Sequence, residues 1–600
     1  MAANRCKKKV ENGNQLSIDT CERSALTLLE NIMPSTIIDK EYCDTLSCDT
    51  TTFERSDHNE NTVPSTRIID ENCDNWSCDA VNRMENGGEE RRIVDINYYT
   101  NNLLTQISKH SPFQCGPENI EFHSEKHLGL SSKIIFQCKM CNTKFPVHTC
   151  DPKPKNTLDL NRAAVTGMTV TGIGLTQMSE LLAAMNLPQM SQKVYDSTNE
   201  YVSREWEKSA TIAMETAAKR EREAAIEEGR VKDGVAVIDV IADGCWGKRT
   251  YKKNYSSLSG AAAIVGRRFG EVLFLGVRNK YCTICTRAQN KSLQPKEHTC
   301  YKNYTGPSTG MESDIIVEGF KHSMDMYQII YGRMIADGDC STYNKILEAR
   351  PYRNFTVEKL ECKNHLLRNM CNKLSALATD TSYPITQRKM LSTQRILAIR
   401  KSICLAVKKN STENRDPSKK IHDLHVDISN ACNHAFGQHD DCKPYYCESA
   451  KKSENIVPKL KTSTLWTRIR YIVSVVASNS RSLVYDVNSN RVECFNSVIA
   501  KLVGGKRINF SLRQTYQTRC NAAVVSFNTR KPVYTLQKNI LGFSPKCKSK
   551  LLEERRLRKN ILCNKYARRK IRFSSKAATD KHYGESCQKP DLATEEMKQL

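Results

Sequence analysis

The stretch VAVIDVIADGCWGKR, residues 235–249, decides how the rest of this chain is interpreted. Its run of β-branched and small apolar residues predicts a buried strand. Because side chains alternate along a strand, Asp239 and Asp243 project from one side, and Asp243 lies at the strand's end. Both are candidate metal ligands. We favour Asp243 because a ligand belongs at the open end, where Gly244 lets a phosphate backbone come close.

Further regular elements are predicted on the carboxyl side of this stretch. Apolar runs at 261–265 and 271–277, joined by the turn GRRFG, predict two more strands in an antiparallel meander. A helix over 313–327, a short strand ending RMIADGD and a helix over 341–349 follow. Strands alternating with helices predict an α/β fold.

Two later carboxylates occupy comparable positions. Asp337 ends MIADGD, where Asp339 competes with it, and either residue could instead be a turn or N-cap residue. Glu493 begins an amphipathic helix, although Asn490 three residues earlier also fits a capping box. Three such acids would supply hard oxygen ligands to two Mg²⁺ or Mn²⁺ ions about 4 Å apart, the arrangement used in phosphoryl chemistry.

The charge balance points to a polyanionic partner. The chain has 91 Lys and Arg against 66 Asp and Glu, yet its first hundred residues hold 11 basic and 19 acidic side chains. The remaining body is therefore strongly basic, which favours nucleic acid over a membrane surface, with a merely soluble basic protein as the alternative. Because residues 1–10 are charged and long apolar runs are absent, we expect an intracellular protein whose 26 cysteines are thiols or metal ligands.

The amino-terminal part divides at about residue 95. Residues 1–95 are polar and acidic, which predicts disorder, and 30–49 is repeated at 60–79, as a local duplication or a docking motif. Residues 96–155 predict a small β module in which a strand runs into a CxxC turn. Free thiols on a half-buried hairpin are one interpretation; a structural zinc is the other, with ligands Cys138, Cys141, Cys115 and either His127 or His148.

Residues 156–230 predict helices. The segment 176–191 places Met178, Leu181, Leu182 and Met185 at helical spacing, a stripe more typical of a core than of a DNA-recognition surface. A long charged helix is predicted from about 198 to 228, closed by Gly229.

Cysteine and histidine clusters follow the opening strand. A CxxC and an HxC pair across a polar loop predict a closed, structural zinc site. A CxxH pair falls one helical turn apart, and a further knuckle-like group is either a zinc site or a Cys-rich surface loop. The residues are Cys282, Cys285, His298 and Cys300 for the first, Cys362 and His365 for the second, and Cys432, His434, His439, Cys442 and Cys447 for the third.

Several long strings resemble those of the Mutator-like element transposases, from about residue 156 to 531. They are ADGCWGKR around Asp243, the CxxC…HxC loop, MESDIIVEGFKHSM, ADGDCSTY around Asp337, CKNHLLRN, and VECFNSVIAKLVGGKRINF around Glu493. The resemblance implies a ribonuclease-H-like core, a mixed sheet flanked by helices, over 231–535, with the zinc loop 282–300 and a helical insertion at about 350–480. It also implies an Asp-Asp-Glu triad, Asp243, Asp337 and Glu493, and matches the family CxxH to Cys362 and His365, which are candidate metal ligands on that ground.

The activity implied by the resemblance is cut-and-paste DNA transposition. Strands would be hydrolysed at terminal inverted repeats, and the freed 3′-hydroxyl would attack target DNA. The alternative is a retained, non-catalytic DNA-binding or regulatory protein. Double-stranded DNA is the expected partner, and two DNA ends suggest at least a dimer.

Basic residues near the acids suit phosphate contact, against an exposed basic face as the alternative. The carboxyl-terminal region 536–600 contains a run at 546–576 with 13 basic and 2 acidic side chains, which indicates a nuclear localisation signal, a DNA-backbone arm, or both. The candidate phosphate contacts are Lys248, Arg249, Lys506, Arg507, Arg513 and Arg519.

Overall fold

The computed structural model describes residues 91–110, 115–247, 257–337, 340–447, 454–506, 508–511 and 514–573, without the side chains of Lys506 and 564–573. Predictions outside those residues concern the duplicated acidic tail, Lys248, Arg249, Asp339, Arg507, Arg513 and the end of the basic region.

One helix and a three-stranded antiparallel sheet come first. The helix is α1 (Ile96–Lys109). The strands pair in chain order, β1 (Ile120–Leu128), β2 (Ser131–Cys138) and β3 (Lys144–His148). The strand predicted to run into the CxxC turn is β2, so that prediction is confirmed.

Three helices lead to the central sheet: α2 (Leu160–Thr171), α3 (Leu175–Ala184) and α4 (Gln192–Glu227). The hydroxyl of Ser191 caps the start of α4 by accepting the N–H of Val194. Gly229, with φ +68°, follows its end in the left-handed region that favours glycine. The predicted long helix is therefore confirmed, with six more residues at its start.

These helices share one apolar cluster with the sheet instead of forming a core of their own, and it is α4 that contacts the strands. Val202 and Trp206 of α4 are completely buried in the same apolar cluster as Ile241 of the sheet. The predicted stripe on α3 is only partly a core face, because Leu182 is buried whereas Leu181 is 52% exposed. The core interpretation therefore holds for Leu182 and not for the whole stripe.

The central sheet is mixed. Its first three long strands form the predicted antiparallel meander, and two later strands add in parallel on the other side of the first. The strands are β4 (Val231–Lys232), β5 (Val235–Trp246), β6 (Ser259–Gly266), β7 (Val272–Asn279), β8 (Ile329–Ala336) and β9 (Glu358–Glu361), in the order β7-β6-β5-β8-β9, with β4 paired to β5.

The register of the parallel pair positions two predicted site residues. Ile241 on β5 pairs with Ile335 on β8. Asp243 and Asp337 each follow two residues later, so both lie just beyond the parallel pairing of these strands, although β5 itself continues to Trp246 beside β6.

One face of the sheet is covered by a helix between β7 and β8. Three helices connect the strands here, α5 (Thr283–Asn290), α6 (Met311–Tyr327) and α7 (Ser341–Ala349). Ile315 and Phe320 of α6 are buried with Ile264 of β6. The predictions of a helix at 313–327 and of another at 341–349 are both confirmed.

A helical insertion follows β9 and has an apolar cluster of its own, centred on fully buried residues such as Leu374, Ile399, Ile428 and Ile469. Its helices are α8 (Lys363–Thr379), α9 (Ile385–Met390), α10 (Thr393–Thr412), α11 (Pro417–Ala435), α12 (Val457–Leu460), α13 (Thr464–Ala477) and α14 (Ser480–Leu483).

The chain then returns to the sheet. The returning helices are α15 (Asn490–Leu502), α16 (Thr515–Thr529), α17 (Pro532–Leu541) and α18 (Lys548–Phe573). Val492 and Phe495 of α15 are buried with Ile241, on the sheet face opposite α6, so helices flank both faces. None of the helices in the described ranges is both long and apolar enough to span a lipid bilayer.

Candidate active site and metal-binding clusters

The three predicted carboxylates come within electrostatic range of one another. Asp243 does not end its strand as predicted, because β5 continues to Trp246 while paired with β6. The pKa of its carboxyl is raised to about 6, chiefly by burial and in part by the charges of Asp337 and Glu493, whereas the Gly244 N–H and His365 oppose the shift. Residues separated by up to 250 positions in sequence are thus brought within electrostatic range, although they are not among the described groups whose ligand atoms all lie within 4.8 Å of one another.

Both carboxylate oxygens of Asp243 are held. The Gly244 N–H donates to Oδ1 over 2.8 Å, and the side-chain amide of Asn496 donates to Oδ2 over 2.9 Å. Asn496 lies one turn after Glu493 on α15, so that helix contributes both an acid and an orienting amide. The Asn496 Oδ1 atom is buried and has no hydrogen-bond partner among the described residues. Asn496 is not among the predicted site residues, although its spacing of three from Glu493 could have indicated it.

The structure places a protein side chain beside Gly244. A Cβ atom at this position would lie 2.8 Å from the carboxylate carbon of Glu312, on α6. The carboxylate end of the flexible Glu312 side chain therefore lies in the space beside Gly244, and the close approach of a phosphate backbone stays a prediction.

Asp239, the alternative to Asp243, is engaged elsewhere. It is buried, and its carboxylate lies 2.8 Å from the guanidinium of Arg267 and 3.7 Å from that of Arg333. These arginines neutralise the buried charge, a structural role that distinguishes Asp239 from the acidic group around Asp243.

Two side chains, those of Ser489 and His365, contact the carboxylate of Glu493. The Ser489 hydroxyl donates to Oε1 over 2.7 Å, and Nε2 of His365 lies 3.7 Å from the same oxygen. Helix α15 begins at Asn490 with Ser489 in the N-cap position, so the capping box considered for Asn490 and Glu493 is wrong. Cys362, the partner of His365 in the CxxH pair, directly precedes α8 and contacts Ser489.

The loop after β7 brings together the four predicted zinc ligands. The ligand atoms of Cys282, Cys285, His298 and Cys300 all lie within 4.8 Å of one another. Nε2 of His298 is 3.2 Å from the Cys282 sulfur, while its Nδ1 lies 2.7 Å from the Lys296 carbonyl oxygen, which fixes the ring. Three soft sulfurs and an imidazole at this spacing could bind zinc.

The amino-terminal cluster differs from its prediction in one ligand. Cys115, Cys138 and Cys141 are grouped with His110, not with His127 or His148. His127 is directed instead to the Ser132 hydroxyl, 3.2 Å from its Nδ1. His148 lies on β3 outside the group.

The third cluster contains four of its five predicted candidates. His439, Cys442 and Cys447 are grouped with His434, and Nδ1 of His434 lies 3.3 Å from the Cys442 sulfur. Cys432 belongs to the apolar cluster of the insertion, where burial raises the pKa of its thiol to about 12. The prediction of Cys432 as a ligand is therefore wrong, because that side chain faces the core.

Arg519 does not face solvent. It is 1% exposed, and its guanidinium donates to the carbonyl oxygens of Leu502 over 2.6 Å and Ile173 over 2.7 Å, above the Phe510 ring. The predicted phosphate contact at Arg519 is wrong, because its donors tie α16 to α2 and α15. Of the other candidate cations, Lys506 is described only in its backbone.

Comparison with known families gives one match. The family model described as Mutator-like transposase matches residues 90–447, more than half of the chain. The matched range includes Asp243, Asp337 and all three Cys/His clusters, and it ends before Glu493. A search of curated proteins gives no match.

Proposed function

Because the chain belongs to the Mutator-like transposase family, we propose that it is a DNA transposase that cleaves strands at terminal inverted repeats and transfers them to target DNA. The observation that carries the proposal is the group formed by Asp243, Asp337 and Glu493, in which two carboxylates raise the pKa of the third. Carboxylates that repel one another are a site for a cation.

We assign the central sheet to the ribonuclease-H-like fold that the resemblance implies. The assignment is supported by the strand order, an antiparallel meander of β5, β6 and β7 followed by the parallel strands β8 and β9. It is also supported by the place of the acids, two just beyond the parallel pairing of adjacent strands and one on the helix α15.

The donor set fits Mg²⁺ or Mn²⁺. Asp243, Asp337 and Glu493 offer hard oxygen atoms, and the orphaned Oδ1 of Asn496 adds a buried acceptor at the same place. Two such ions, when bound, lower the pKa of an attacking water or 3′-hydroxyl and stabilise the leaving oxygen.

The chain's own residues supply the geometry for that chemistry. The Gly244 N–H and the Asn496 amide fix the rotamer of the Asp243 carboxylate. The Ser489 hydroxyl fixes one oxygen of Glu493. Ligands held in this way need no reorganisation when DNA arrives, which is how preorganised sites lower barriers.

The remaining parts of the proposal concern partners and place. We assign structural zinc to the three Cys/His clusters and double-stranded DNA to the basic body of the chain. Two transposon ends require two catalytic sites, so we propose at least a dimer on DNA. Because its substrate is chromosomal and the run at 546–576 is basic, we propose a nuclear location.

Strand cleavage and strand transfer on inverted-repeat DNA with Mg²⁺ test this proposal. Asp337→Asn is expected to lower the rate by at least about 10²-fold, because the variant loses a charged ligand. Asp325→Asn, at an exposed acid on α6, is the matched control and is expected to keep the wild-type rate. Equal rates in wild type and Asp337→Asn would contradict the site. DNA binding without cleavage in wild type would favour the non-catalytic regulatory alternative.

A further inference from the structure

The hydroxyl of Ser489 is the centre of a small buried network. Ser489 is 3% exposed, and its oxygen lies 2.7 Å from Oε1 of Glu493, 3.3 Å from the Cys362 sulfur and 3.4 Å from Nδ1 of His365. A hydroxyl has one proton and two lone pairs. When the Ser489 hydroxyl donates its proton to Glu493, its two lone pairs are left to accept from the Cys362 thiol and the His365 imidazole.

Cys362 connects this network to the strand that precedes Asp337. The Cys362 N–H donates to the carbonyl oxygen of Ala336, the last residue of β8, over 3.0 Å. Its sulfur accepts the N–H of Ser489 over 3.3 Å. Cys362, which is completely buried, thus contacts Ala336, the residue before Asp337, and Ser489, the N-cap residue of the helix that carries Glu493.

The contact between Cys362 and Ser489 also joins the two ends of the helical insertion. Asp337 and Glu493 are 156 positions apart, and most of the intervening chain folds around a separate apolar cluster. A second backbone bond, from the Lys363 N–H to the Val487 carbonyl oxygen over 3.0 Å, runs beside the Cys362–Ser489 contact. The two ends of the insertion are therefore hydrogen-bonded to each other next to Ser489, which contacts Glu493.

The CxxH pair does not have the surroundings of a metal site. Among the described residues, groups of three or more ligand atoms within 4.8 Å of one another occur at the three Cys/His clusters, and neither the CxxH pair nor the three acids of the proposed Mg²⁺ site form such a group. The distinction matters for zinc, which takes its four ligands from the protein at a structural site, whereas Mg²⁺ keeps several waters. The lone pairs of the Cys362 sulfur meet a backbone N–H. A zinc-bound thiolate would need three further ligands in tetrahedral positions.

We propose that Cys362, His365 and Ser489 are positioning residues that hold Glu493 in register with Asp337, and that the CxxH pair is a structural joint instead of a metal site. The Ser489 and His365 contacts both fall on Oε1, so Oε2 is the oxygen that Glu493 offers to a cation. This inference rests on the proposed function, in which Glu493 is a metal ligand.

The test uses the full-length protein and two measurements, Mn²⁺ affinity by electron paramagnetic resonance titration and zinc content by mass spectrometry. Ser489→Ala is expected to weaken Mn²⁺ binding about 10-fold, since loss of a residue that orients a ligand costs about 10- to 100-fold. Ser497→Ala is the matched control, because that hydroxyl on the same helix donates to the backbone carbonyl oxygen of Glu493. His365→Gln is expected to bind Mn²⁺ more tightly than His365→Ala, because its amide can reach Oε1. Zinc content should equal that of wild type in all variants.

The outcomes distinguish a failure of this inference from a failure of the proposed function. Loss of one zinc equivalent in Cys362→Ala or His365→Ala would overturn the inference and make the pair a metal site. Ser489→Ala with the Mn²⁺ affinity of Ser497→Ala would overturn it too, provided that Glu493→Gln binds weakly. If Glu493→Gln also binds Mn²⁺ like wild type, then the proposed function fails together with the inference. Melting temperatures within a few degrees of wild type show that a weakened site is not an unfolded one.

Discussion

Asn496 orients Asp243 through a single amide. Its nitrogen donates to the Asp243 carboxylate and lies 3.4 Å from the Gly244 carbonyl oxygen, while its own oxygen is buried without a partner among the described residues. A buried acceptor left unsatisfied costs about 1–3 kcal/mol. A cost of that size is tolerated at a functional site where a ligand supplies the missing contact.

Replacing Asn496 is expected to weaken the site without unfolding the protein. In Asn496→Ala the Asp243 carboxylate loses its donor and rotates, so we expect Mn²⁺ affinity and strand cleavage to fall about 10- to 100-fold. Asn496→Asp places a further negative charge against Asp243 and is expected to raise the pKa of that carboxyl above about 6. Titrating Mn²⁺ binding against pH measures both effects. Wild-type affinity in Asn496→Ala would contradict this account.

A second prediction distinguishes His434, a member of the third cluster, from Cys432, which lies in the apolar core of the insertion. His434→Ala is expected to lose about one zinc equivalent per chain, because His434 is one of four grouped ligands. Cys432→Ala is expected to keep full zinc content and to lower stability instead, by about 1–3 kcal/mol, since its side chain is completely buried in the insertion core. Zinc analysis and thermal melting of the two variants check this, and zinc loss in Cys432→Ala would contradict it.

Spacing alone could identify some ligands and not others. Cys282, Cys285, His298 and Cys300 flank or follow a short loop helix, and the structure brings all four together as their spacing predicted. On the long helix α11, residues two apart point about 200° away from each other. Cys432 and His434 therefore face opposite sides, and the sequence pattern does not show which side is the core.

At the scale of elements, helix α4 contributes a buried acid to the sheet. Glu221 is 1% exposed, and burial raises the pKa of its carboxyl to about 7. The backbone N–H groups of Phe269 and Arg268 and the charge of Arg230 oppose that shift, whereas Glu271 adds to it. Phe269 donates to the carboxyl over 3.0 Å. The proton on Glu221 is therefore bound more tightly in the folded chain than in the unfolded one.

This shift makes the packing of α4 dependent on pH. A raised folded-state pKa gives stability that is complete below about pH 4.5 and is lost as the pH rises through about 7. Glu221→Gln keeps the acceptor without the charge, so we expect the variant to be more stable than wild type by up to about 3 kcal/mol at pH 8 and equal to it at pH 4.5. Thermal melting at the two pH values measures this difference. A difference between variant and wild type that does not change with pH would contradict it.

The zinc loop after β7 is joined to the chain beyond α15. The Asn279 amide donates to the Ser511 carbonyl oxygen over 3.1 Å, and the Tyr301 hydroxyl donates to the Gln514 side chain over 3.3 Å. These contacts connect the cluster of residues 282–300 to a segment rich in basic residues. We infer that metal in the cluster keeps that segment in place.

Removal of this metal is expected to loosen both segments. Cys285→Ser should lose about one zinc equivalent and become sensitive to protease between residues 286 and 297, because the loop has little apolar packing without a metal. Cys563→Ser, at an exposed cysteine on α18, is the control and should remain resistant. Mapping the cleavage sites by mass spectrometry checks this, and equal resistance in the two variants would contradict it.

Elements with a strong periodic pattern were predictable. The meander of β5, β6 and β7 and the apolar stripe of α15 follow directly from the alternation and spacing of apolar residues. Strand β9 was not predicted, because four residues carry too little pattern, and its pairing with β8 depends on the fold as a whole. The insertion was expected from the resemblance, whereas the apolar pattern did not predict the seven helices of its described residues or their separate core.

At the scale of the whole molecule, the site is assembled from distant parts of the chain. The sheet carries Asp243 and Asp337, the helical insertion separates them from Glu493, and α15 returns that acid to the sheet. The carboxyl ends of parallel strands meet at one edge whatever the length of the connections between them. An insertion of this size is therefore compatible with a compact site, provided that its two ends are joined.

The most direct test of the central claim is a binding titration of Mn²⁺ to the full-length protein and to single variants of the three acids. We predict that Asp243→Asn, Asp337→Asn and Glu493→Gln each weaken binding at the same site by at least about 10-fold, because each removes a ligand from one group. Asp325→Asn is expected to bind like wild type. If the three substitutions leave Mn²⁺ affinity unchanged, or if only one of them alters it, then the acids do not form one metal site and the account is wrong.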